Sequence, residues 1–108
     1  MNKSGLGMDK RTVGSLLHLS EPMAALSIAH LTLSTRRKLA ANDLSVVAYP
    51  NKYGGFVFVG VPRCSVPVEP DLVAIFEVAE KAGLVWLKFD SDAALVDGLP
   101  MFEEEDAT

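Results

Sequence analysis

Between residues 26 and 31, Ser27 and His30 stand among Leu26, Ile28, Ala29 and Leu31, the pattern of a half-buried strand. Thr32 or Ser34 can cap a short helix over residues 36–41, and Asn42 can close it in a left-handed conformation. Two β-rich runs follow, residues 44–49 and 56–61, joined by six turn-forming residues that include Pro50, Gly54 and Gly55, and they predict an antiparallel hairpin. In the second run Phe56 and Phe58 share one face while Val57, Val59 and Val61 share the other, as in a central strand. Pro62 and Pro67 punctuate a loop that carries Arg63 and Cys64. The next helix is bounded by Pro70 at its first position and Gly83 beyond Lys81. Leu72, Ile75, Phe76 and Ala79 fall on one side of it. Val85, Leu87 and Phe89 then alternate with Trp86 and Lys88 until Asp90, Ser91 and Asp92 stop the strand.

This order of elements predicts an α+β two-layer sandwich of the ferredoxin-like βαββαβ type. Its four-stranded sheet is mostly antiparallel and carries two helices on one face. The expected division is a flexible N-terminal arm over 1–24, with at most a helical turn near 13–19, a single domain over 25–102, and an acidic tail over 103–108.

Composition narrows the class. The 108 residues, 49% of them hydrophobic, suffice for one core, and a single Cys leaves no internal disulfide and fits a reducing compartment. The longest apolar runs, 56–61 and 84–87, fall far short of the ~18 residues of a membrane helix. No secretory signal is visible, so a cytoplasmic protein without a membrane partner is expected. Charge is uneven: residues 1–68 hold eight basic and three acidic groups, residues 69–108 two and eleven. Such asymmetry can orient a partner.

The reactive side chains are few. His18, His30, Cys64 and scattered carboxylates offer no structural zinc site, and no cofactor is expected. Asp90 and Asp92 open like a calcium loop, but Leu95 stands where its Gly belongs and Met101 where its Glu belongs. His30, Cys64 and the two aspartates are the one set that could activate a nucleophile. In a ferredoxin-like sheet the first and last strands are antiparallel, which would leave His30 and Asp90 roughly 17 Å apart, so no catalytic residue is assigned. Gly54 and Gly55 sit in a hairpin turn and not before a helix, so no phosphate loop is present. The RNA-recognition motif shares this element order. Residues 52–59 match its longer signature in part, with Lys52 and Phe56 as the matching groups and Arg36, Arg37 and Lys38 as a local basic patch. One platform ring, Phe56, and an acidic net charge make RNA binding the alternative and not the leading reading.

Two segments carry a resemblance. Residues 26–31, ending in Ala29, His30 and Leu31, and the run of Trp86 to Ala93 followed by Val96, Asp97, Gly98, Leu99, Pro100, Met101 and Phe102 look like the signatures of a family of small proteobacterial domains of unknown function. That family is encoded largely on plasmids, phages and integrated elements. The likeness covers about residues 25–102. It implies a context and no activity: a non-enzymatic protein-interaction factor of a mobile genetic element, whose partner is a host protein or protein complex, such as a defence nuclease held by an inhibitor. Tyr49, Tyr53 and Arg63 are the expected contacts, since aromatics and Arg are favoured at interface hot spots. A homodimer through an exposed strand edge is the other association this topology permits.

Overall fold

A computed structural model describes residues 3–102. The chain runs α1 (Lys3–Leu19), β1 (Met23–Ser27), a 3-10 turn (Ile28–His30), α2 (Leu33–Ala40), β2 (Ala48–Asn51), β3 (Gly54–Phe58), α3 (Pro70–Lys81) and β4 (Trp86–Asp90). The acidic tail expected over 103–108 lies outside the described residues.

The fold is α+β, but the sheet is mixed, in the order β1-β4-β3-β2, and this corrects the ferredoxin-like expectation. In that arrangement β1 would lie between β4 and β3, antiparallel to both. Here β4 takes the inner place, parallel to β1 and antiparallel to β3. The side chains account for the exchange. β4 offers Leu87 and Phe89 to the core and Trp86 and Lys88 to the other face, and so fills both sides of an inner position. β1 supplies two alanines and an exposed Met23, a composition suited to an edge. The segment after β3 completes the pairing, since the N–H groups of Val59 and Gly60 both donate to Val85 O, at 2.8 and 3.1 Å.

α3 has the predicted bounds, with Pro70 at its start, Asp71 in its first turn and Gly83 past its end at φ +75°. Its buried Leu72, Ile75, Phe76 and Ala79 join Leu26, Leu39, Val57, Leu87 and Phe89 in one core between the helices and the sheet. α2 is capped by Thr32, whose Oγ1 accepts from Thr35 N–H at 3.2 Å, and Asn42 follows it at φ +56°, the left-handed closure expected of it.

Three boundaries differ from the sequence reading. β1 ends at Ser27 because its Oγ accepts from Ala29 N–H at 3.0 Å and opens the 3-10 turn, which takes Ile28 to His30 out of the sheet. β2 begins only at Ala48, since Ser45 is drawn away to Glu69. The hairpin turn is just Lys52 and Tyr53, with Tyr53 N–H donating to Asn51 Oδ1 at 2.9 Å, while Gly54 and Gly55 belong to β3. Glycine is required at position 54, because a Cβ there would stand 2.1 Å from Phe89 O.

The leader, expected to be an arm with one helical turn at most, is a 17-residue helix. Every α1 side chain from Lys10 to Leu19 is exposed. No helix among the described residues is long and apolar enough to cross a membrane.

Candidate functional site

Alternation along the strands sorts the side chains onto two faces. The core face carries Leu26, Ala48, Val57, Leu87 and Phe89, and α2 and α3 pack on it. The opposite face carries Met23 from β1, Tyr49 from β2, Phe56 and Phe58 from β3, and Trp86 and Lys88 from β4. The ring centroids of Phe58 and Trp86 are 4.9 Å apart in an edge-on contact, and Tyr49 lies 6.1 Å from Trp86. Lys88 Nζ stands 5.9 Å from the centre of the Phe56 ring and 4.0 Å from Asp90 Oδ2. Trp86 Nε1 donates to Glu21 Oε1 at 3.1 Å. Tyr49 is 58% and Met23 50% exposed, so this face presents apolar surface outward.

The residues expected as partner contacts do not form one patch. Tyr49 belongs to the open face. Tyr53 sits in the hairpin turn with Lys52 Nζ 5.1 Å from its ring centre. Arg63 lies beside α3, its Nε 3.5 Å from Glu80 Oε1. The residues of the nucleic-acid alternative separate as well: Phe56 is on the open face, whereas Arg36, Arg37 and Lys52 line a cleft between α2 and the hairpin turn on the helical side. Phe56 is moreover one of four aromatics on its face and not a single ring. The sequence reading already put Phe58 on the face of Phe56 but missed that Trp86 and Tyr49 join them there, although alternation separated Trp86 from Leu87.

The distance argument against His30 is also corrected. Because β1 and β4 are parallel neighbours with Ser27 opposite Asp90, His30 and the aspartates are at the same end of the sheet. The ring is nevertheless engaged elsewhere. Nδ1 lies 2.8 Å from Pro100 O, and Nε2 accepts from Val96 N–H at 2.9 Å, which assigns the proton to Nδ1. Asp90 Oδ1 accepts from Asp92 N–H at 2.8 Å, and Cys64 is exposed in the loop before α3. Among the described residues no group of three or more His, Cys, Asp or Glu side chains could hold a metal ion.

Two carboxylates brace the helical layer. Asp71 accepts from Thr32 N–H and Thr35 Oγ1, both at 2.8 Å, and from Leu72 N–H at 3.0 Å, joining the starts of α2 and α3. The buried Glu69 accepts from Ser45 Oγ at 2.5 Å and Ser45 N–H at 3.0 Å. Burial pushes the Glu69 carboxyl up, but the hydrogen bonds from Ser45, one from its own backbone and the charge of Lys38 more than offset this and hold it below its ordinary value.

The two segments behind the family resemblance touch. Ser27 N–H donates to Ala94 O at 2.9 Å and Phe102 N–H to Ala29 O at 2.7 Å, on either side of the His30 bonds. No curated protein and no solved structure matches the chain. Residues 23–104, from β1 through the segment that Ala29 and His30 hold, match the model described as the family of unknown function (DUF5983) C-terminal domain, and the chain belongs to that family.

Proposed function

We propose that the protein is a non-enzymatic interaction factor that docks a protein partner on its open sheet face. The observation that carries this reading is the cluster of Tyr49, Phe56, Phe58 and Trp86 on a face opposite both packed helices. Apolar aromatic surface of this kind is what a partner buries at a hot spot. The charge supports a protein over a nucleic acid: Lys88 is the cation the strands place there, with Asp90 beside it, whereas strand binding draws on several phosphate-neutralising groups. The resemblance to domains carried by plasmids and phages supports a finer version, in which the partner is a host complex and the protein a cytoplasmic counter-defence inhibitor. Tyr49 is then a central contact, while Tyr53 and Arg63 lie outside the main patch.

The test is affinity purification of the tagged chain from a proteobacterial host with nuclease treatment, beside a Tyr49→Glu, Phe56→Glu variant. A stoichiometric, nuclease-resistant protein retained by the parent and lost by the variant, at matched thermal midpoints, is the expected result. Nucleic acid that nuclease strips away, with no protein left, would overturn it in favour of an RNA-binding sheet.

A further inference from the structure

The cleft between α2 and the hairpin turn has a composition at odds with the rest of the chain. The protein is acidic, with 14 Asp and Glu against 10 Lys and Arg, yet Arg36, Arg37 and Lys52 all line this cleft and none of the acidic residues among the described residues does. Ile28, Leu33 and Leu39 line it with apolar side chains, and Tyr53, with Lys52 Nζ 5.1 Å from its ring centre, lines it too. The cleft is open to solvent and has room for about 280 Å³, just under the small-molecule range of about 300–1,000 Å³.

The positions are held by the fold. Arg36 Nε donates to Leu31 O at 2.9 Å and Nη2 to Phe102 O at 2.5 Å, which fixes its guanidinium across the C-terminal segment. Arg37 is the next residue on α2, and Lys52 reaches the cleft from the turn fastened by Asn51.

From this juxtaposition we infer that the cleft binds a small phosphate ester of mononucleotide size, its phosphate between Arg37 and Lys52 and its planar ring against the apolar side chains of Ile28, Leu33 and Leu39. Paired cationic side chains suit a dianionic phosphate, and aliphatic lining side chains suit a flat ring. The open sheet face plays no part in this site, so the two assignments stand or fall separately.

The test is amide chemical-shift mapping of the full chain with AMP, adenosine and inorganic phosphate as separate probes. AMP is expected to shift residues 33–40 and 51–54 saturably, with a Kd of about 1 mM or below, and each half-molecule to bind at least about tenfold more weakly. Arg37→Glu and Lys52→Glu, each at an unchanged thermal midpoint, should weaken AMP by about tenfold, while Tyr49→Ala should leave it unaltered. Absence of saturation by AMP, equal binding by the Arg37→Glu and Lys52→Glu variants, or shifts confined to the sheet face would each overturn the assignment.

Discussion

His30 Nδ1 lies 2.8 Å from the carbonyl oxygen of Pro100, seventy residues further along the chain, while its other ring nitrogen takes the amide of Val96. His30 is 1% exposed, and its ring works as a clip for the segment after β4. His30→Ala is expected to cost about 2–4 kcal/mol, combining a buried void with two unpartnered backbone groups. Urea unfolding measures the loss. Hydrogen exchange at Val96 and Phe102 should accelerate before exchange in α3, and unchanged protection at both amides would refute the clip.

Asp71 holds the beginnings of two helices with one carboxylate. Asp71→Ala strands Thr32 N–H and should destabilise by about 2–3 kcal/mol, whereas Asp71→Asn keeps an acceptor and should cost about 1 kcal/mol. Midpoints for both variants equal to the parent's in a denaturant series would show that the bridge contributes nothing.

Glu69 gives the fold an acid limb. Its carboxyl is held below the ordinary value of 4.5, so the folded protein binds that proton less tightly than the unfolded chain does. The stability it contributes is fully present above about pH 4.5 and is lost as pH falls through the lowered folded value. Glu69→Gln should lose about 1–2 kcal/mol at neutral pH and show a flatter decline on acidification. Urea midpoints of both proteins between neutral and acidic pH provide the comparison, and parallel curves would count against it.

Two glycines should respond differently to alanine. At Gly54 the new Cβ meets Phe89 O at 2.1 Å, so the β3–β4 pairing must open, with an expected loss of more than about 3 kcal/mol. At Gly83 nothing lies within 4 Å and only the positive φ opposes the change, at about 1 kcal/mol. Thermal melts of the pair separate steric from conformational cost, and similar losses would contradict the distinction.

Legibility followed the range of the forces involved. α3 was readable to its ends because Pro70, the apolar stripe and Gly83 are local signals. The faces of β3 and β4 were readable too, since alternation decides them. Which strand neighbours which is a non-local matter: alternation tells that Phe58 and Trp86 avoid the core, but not that they meet. α1 was missed because Gly5, Gly7 and Gly14 each weaken a helix by about 1 kcal/mol. The partners of His30 had no signature at all, being a carbonyl and an amide that any residue type could supply.

The placement of β1 bears on how the protein is born. In the sheet its one neighbour is β4, so of the four strands described the earliest in the chain waits for the latest before it can pair. Until then the β2–β3 hairpin is the local pairing open to the nascent chain, and the β1–β4 pair carries the larger loop-closure cost of the two.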